Sequence, residues 1–250
     1  MDNKSYNVAK LSNAFSTGSG GANFERHIQA VFVLSLLVDG FSPIIDAPIE
    51  RLEFQAKHLG YDVDDLVVIS STGTKLLCQM KRSLAITKSD VTFQEVLTAA
   101  WSDFKKDSFN TATDKIALIT SFISKESIYS LRYIHDQSLA ASSADTFIDR
   151  IYQPKFTAQD ARDRFEVIKN CLQKANDNAP LSNENLWKFC RCFTLSIFDL
   201  DYEDSINRIL AQSLIHCKTE KDAKLVWGNL ADFCGTWNQQ AATTALSMSR

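Results

Sequence analysis

The chain has 250 residues, 45% hydrophobic and 23% charged, enough for one large domain or two small ones with a sizeable core. Its 27 basic and 30 acidic residues give a formal net charge of −3, which excludes a globally cationic nucleic-acid coat protein or a polybasic membrane binder. Any nucleic acid must therefore be met by a local patch. No apolar run approaches the roughly 18–20 residues that cross a bilayer, so no membrane partner is expected. The six cysteines lie in apolar runs with no signal peptide ahead of them, which suits reduced, buried thiols in a cytoplasmic protein. Cys190 and Cys192, with His216 and Cys217, have poor spacing for zinc.

Residues 1–21 are polar, end in STGSGG and read as a flexible lead-in, with GSGG as a hinge or a phosphate-cradling turn. NFERHIQAVFVLSLLVDG then reads as a helix capped by Asn23 and stopped by Gly40, apolar enough to lie against a sheet. A loop with Pro43 and Pro48 follows, and IERLEFQAKHLG is ambiguous between helix and strand. DDLVVIS, STGT and KLLCQMK read as strand, turn and returning strand, a hairpin. TFQEVLTAAWSDFKKD is an amphipathic helix with Thr87 or Ser89 near its start, and DKIALITSF is an interior strand. From about Lys125 onward helical patterns dominate, including NENLWKFCRCFTLSIF and DAKLVWGNLADFCGTW, and the tail QQAATTALSMSR is polar and uncommitted. The expected class is α/β, with a mixed sheet flanked by helices over residues 22–124 and a helical region over 125–250.

The hairpin carries an unusual pair. Residues two apart in a strand share a face, so Gln79 and Lys81 emerge side by side at the end of an otherwise apolar strand. The first strand opens on Asp64 and Asp65, and a carboxylate there can face the amide and the ammonium. Periodicity does not choose between the two, because Asp65 shares its face with Val67 and Ile69, and Asp64 with Leu66 and Val68. Each residue also has a plain structural use. Glu25 suits a helix first turn, Asp64 and Asp65 suit a turn, Gln79 suits a satisfied core amide, and Lys81 suits an edge-strand guard.

An aspartate before one strand, QMK on the next and a glutamate on the preceding helix resemble the PD-(D/E)xK phosphodiesterase superfamily in its QxK, Mrr-like form. GSGGANFERH, DVDDLVV, LLCQMK and FQEVLTAAWSDF are similar to the nuclease domain of bacterial antiviral effectors of the CBASS or STAND-NTPase (Avs) type. That resemblance implies a restriction-endonuclease-like sheet and a metal-dependent endonuclease acting on double-stranded DNA. It implies Mg2+ or Mn2+ held by Asp65, Gln79 and Glu25, with Asp64 as the alternative aspartate, and Lys81 as a catalytic charge. Self-association is implied by the two strands to be cut, and a sensor or STAND NTPase domain beyond this chain would supply control. Arg82, Lys88, Lys105 and Lys106, with Lys75, offer the local phosphate contacts. The alternative is a degenerate nuclease fold that binds nucleic acid or protein without cleaving it.

Overall fold

The computed structural model describes residues 19–42, 44–239 and 245–247. In chain order the elements are α1 (Ser19–Leu37), β1 (Phe41–Ser42), β2 (Ile45–Phe54), a 3-10 turn (Ala56–Leu59), β3 (Leu66–Ser70), β4 (Lys75–Met80), α2 (Val91–Phe104) and β5 (Lys115–Thr120). Then follow α3 (Lys125–Ala140), α4 (Ala144–Tyr152), α5 (Gln159–Ala175), α6 (Asn183–Cys192), β6 (Phe193–Ile197), α7 (Ile206–Ser213), α8 (Glu220–Gln239) and β7 (Ala245–Ser247). The described strands form one mixed sheet in the order β1-β2-β3-β4-β5-β6, with β7 on β2. β2, β3 and β4 run antiparallel in turn, whereas β4, β5 and β6 are parallel.

Helices cover both faces of the sheet, which is why its central strands are apolar without interruption. Val67, Leu77, Ile116 and Leu118 enter one core with Phe93, Trp101 and Phe104 of α2 and Phe165 and Phe189 of α5 and α6. Leu66, Val68, Leu76, Cys78, Ala117 and Ile119 alternate into the other, against Phe24, Ile28 and Phe32 of α1 and Trp227 and Cys234 of α8. Both cores draw on residues from before and after position 124.

Several local expectations are corrected. α1 starts at Ser19, so the lead-in is helical at its end and Asn23 is inside the helix; residues 1–18 lie outside the described residues. Gly40 does serve the stop, since its N–H returns to Ser35 O and a Cβ there would lie 3.0 Å from that oxygen. Pro48 sits within β2 opposite Phe41, and the ambiguous segment is strand to Phe54 and then the 3-10 turn; Pro43 lies outside the described residues. Asp90, rather than Thr87 or Ser89, caps α2 by accepting from Phe93 N. The helical pattern NENLWKFCRCFTLSIF breaks at Cys192, and Phe193–Ile197 forms β6 beside β5. In the tail, β7 pairs Glu53 with Ala245 and Leu52 with Leu246, and the other tail residues from 240 onward lie outside the described ones. Cys217 is exposed, unlike the other five cysteines.

One buried carboxylate fixes the approach to β3. Asp103 of α2 is buried and accepts from Val63 N at 2.7 Å and from Asp62 N at 2.9 Å. Lys106 bridges it to Asp62 Oδ2 (2.9 Å) and Gly60 O (2.6 Å), and Ser102 adds a bond to Asp62. Hydrogen bonds from Lys57, Ser102 and Lys106 hold the Asp62 carboxyl well below the usual carboxylate range. This buckle sets the backbone that delivers Asp64 and Asp65. Asp103→Ala would leave the Asp62 and Val63 amides without their acceptor and remove one of the partners of Lys106, and is expected to cost about 3 kcal/mol in urea unfolding. A loss below about 1 kcal/mol would show that water replaces the carboxylate there.

Candidate active site

The QMK strand, the aspartate pair and the α1 glutamate meet at one end of the sheet, where β3 begins and β4 ends. The hairpin register sets Leu66 against Cys78, which brings Asp65 opposite Gln79 one step further out. Gln79 Nε2 donates to Asp65 Oδ2 at 2.5 Å, and Met80 N donates to the same oxygen at 2.6 Å. It is therefore Asp65 that meets Gln79. Asp64 contributes its backbone carbonyl to Ala56 N at 2.7 Å, and its charge still reaches both Glu25 and Asp65. Gln79 is buried, and giving its nitrogen to Asp65 leaves Oε1 as the atom for a second partner.

Lys81 lies one residue past β4, its N–H continuing the β4–β5 pairing to Ile119 O at 2.9 Å. Lys81 is half-buried, and its charge acts to lower the pKa of both Asp65 and Glu25.

Glu25 comes in from the second turn of α1. Gln29, one helical turn on, donates from Nε2 to Glu25 Oε1 (3.2 Å) and to the Asp65 carbonyl (3.1 Å), tying α1 to the start of β3. Two further amides converge on the same oxygen: Gln55 Nε2 at 2.6 Å and Asn238 Nδ2 at 2.9 Å. Gln55, the residue after β2, has φ 46° and ψ 53°, a left-handed conformation that turns the chain out of the strand. Gln29, Gln55 and Asn238 carry no motif that marks them in the sequence. The one readable hint is the four-residue spacing of Glu25 and Gln29, which puts both on one helix face.

Burial, followed by the charge of Asp65, pushes the Glu25 carboxyl up to about 8. Lys81 and the Gln29 amide pull the other way and lose. Burial also raises Asp65, against Lys81 and the Met80 and Gln79 hydrogen bonds. Without a cation the pair therefore holds a proton at neutral pH. Because three N–H groups occupy Glu25 Oε1, that proton belongs on Oε2.

Of the residues expected to meet phosphate, Arg82 is engaged by Asp201 through Nε and Nη2, both at 3.0 Å, and Lys106 belongs to the Asp103 buckle. Lys75 bonds Ser108 O at 2.6 Å, Lys105 lies 5.8 Å over the Trp101 ring, and Lys88 is exposed. Among the described residues, no three His, Cys, Asp or Glu side chains form a ready metal-binding group, and no helix is long and apolar enough to cross a membrane.

The titration has a definite sign. Glu25 is raised from 4.5 to about 8, so its neutral form contributes stability that is complete below pH 4.5 and lost as pH rises through about 8. Glu25→Gln keeps the neutral shape and is expected to flatten that decline. Thermal melts in chelator between about pH 5 and about pH 9 check it, and parallel curves for both proteins would contradict the raised carboxyl.

Comparison with known protein families, curated proteins and solved structures finds no match to this chain.

Proposed function

We propose that this chain is a Mg2+-dependent endonuclease of the PD-(D/E)xK, restriction-endonuclease-like kind, cutting double-stranded DNA as the effector of a bacterial anti-phage system. The observation that carries the reading is the bond from Gln79 Nε2 to Asp65 Oδ2 at the ends of adjacent strands, with Lys81 two residues on and Glu25 behind. Aspartate, QxK and helix glutamate lie apart in the chain and meet at one sheet end, as the resemblance implies.

The donor set fits a hard cation. Asp65 and Glu25 offer carboxylate oxygens and Gln79 offers a neutral Oε1, with no thiolate or imidazole among them, which suits Mg2+ or Mn2+ retaining several waters. When bound, such an ion supplies Lewis acidity toward a phosphate oxygen and a lowered pKa for a water. Asp65 and Glu25 would hold it, at the expense of the proton on Glu25. Lys81 would set a compact positive charge against the phosphate as negative charge grows in the transition state. The neutral Gln79 lowers the charge of the ligand set, so DNA phosphate would contribute to ion retention. A second copy of the chain would present a second site to the opposite strand, and a fused sensor or NTPase domain would bring the copies together.

One observation favours a second reading, a degenerate fold that binds without cutting: Gln79 stands where an acid would serve a metal better. The same experiment separates the two. Lys81→Ala is expected to lower Mg2+-dependent plasmid nicking at least about 100-fold with an unchanged circular-dichroism melt. Asp65→Asn is expected to match that loss, and Asp64→Asn to cost less than about tenfold, because Asp65 is the one on Gln79. No nicking by the wild-type chain at any Mg2+ or Mn2+ concentration, alone or forced to dimerise, would leave the binding module. Full activity in the folded Lys81 variant would remove that residue from catalysis.

A further inference from the structure

The helical C-terminal part reaches Glu25 and Gln29 through the Asn238 side chain. Asn238, in the last turn of α8, donates from Nδ2 to Glu25 Oε1 and to Gln29 Oε1, both at 2.9 Å. Both partners are oxygens, so the orientation of the Asn238 amide is settled by its surroundings. The consequence passes to Gln29. With its Oε1 accepting from Asn238, its Nε2 falls on the side where it donates to Glu25 and to the Asp65 carbonyl. Gln29 is fully buried, and a flipped amide would set its nitrogen against the Asn238 nitrogen.

The helix that delivers Asn238 is anchored firmly. Trp237 packs edge-on against Phe54 of β2, with ring centroids 5.1 Å apart, and Trp227 stacks on His27 of α1 at 5.9 Å. Arg26 pairs with Asp232 at 3.1 Å, and a Cβ on Gly235 would sit 3.3 Å from Arg26 Cδ, so the helices approach closely there. Beyond α8 the chain is tied down again where β7 joins β2.

We propose that Asn238 is a positioning residue for the divalent-cation site, holding Gln29 and Glu25 so that Glu25 Oε2 and the Asp65 carboxylate are left for a shared ion. The proposal rests on the nuclease reading for the identity of that ion. It goes further in making α8 a working wall of the site. Groups that orient a metal ligand without touching the metal commonly change affinity 10- to 100-fold on removal. Asn238 acts through Glu25, so its loss weakens ion binding and leaves chemistry at saturating ion largely intact.

The test uses the full chain, with Asn238→Ala and the near-isosteric Asn238→Leu, which has no donor. Mn2+ binding is followed by the electron paramagnetic resonance signal of the free ion, and plasmid nicking is followed against Mn2+ concentration. Both variants are expected to bind Mn2+ at least about tenfold more weakly and to recover nicking to within about threefold at saturating Mn2+. Their melts should stay within about 5 °C of wild type; if alanine alone falls further, leucine supplies the comparison. Wild-type Mn2+ affinity in a folded variant would overturn the positioning role while leaving the nuclease reading standing. A loss of nicking that saturating Mn2+ does not restore would also overturn it. A wild-type chain that neither binds Mn2+ nor nicks DNA would overturn both.

Discussion

Two carboxyl groups, Glu25 and Asp65, share a partly buried corner in which neither can ionise without cost, and most of the site follows from that constraint. Burial raises both; the charge of Asp65 adds to the rise of Glu25, and that of Asp64 adds to both. A protein whose only concern was stability would replace one of them with an apolar residue. Here the structure instead surrounds the pair with compensating donors: three side-chain amides on Glu25 Oε1, the Met80 N–H and the Gln79 amide on Asp65 Oδ2, and the Lys81 charge nearby. These contacts orient the carboxyls without neutralising them, and a divalent cation would complete the set.

That corner needs every layer of the fold. The β3–β4 hairpin sets Asp65 against Gln79. The Asp103–Lys106 buckle on α2 fixes the loop that leads into β3, so a cationic side chain that looks free in the sequence is spent on structure. α1 brings Glu25 and Gln29 to the sheet end, and its position is set by the core it shares with β3, β4, β5 and α8. The C-terminal part also adds β6 to the parallel side of the sheet and β7 to β2. The described residues from 125 onward are therefore structurally continuous with the site.

The legible features in the sequence were those governed by short-range periodicity. Alternation and the STGT turn placed Gln79 and Lys81 on one face and paired them with the strand after Asp65; Gly73, at φ 80°, makes that turn. Periodicity left Asp64 and Asp65 undecided because both precede the strand, and only the register separates them. β6 escaped because Cys192 runs into Phe193 with no glycine or proline, so a helical pattern covered a strand whose place depends on β5. Gln55 and Asn238 escaped for a different reason. Neutral amides carry no charge signature, and Asn238 meets Glu25 across 213 positions of sequence. The Asp62 partner of Lys106 and the Asp201 partner of Arg82 also lie far off in the chain, so the structural engagement of these two cations was not legible.

The central proposal is that a divalent cation would take the place of the proton carried by Glu25 beside Asp65. Isothermal titration with Mn2+ at neutral pH, repeated in two buffers of different ionisation enthalpy, measures the protons released per ion bound. The account predicts release of roughly one proton per ion, and little or none in Glu25→Gln. Binding without proton release by the wild-type chain, or the same release from the Glu25 variant, would contradict it.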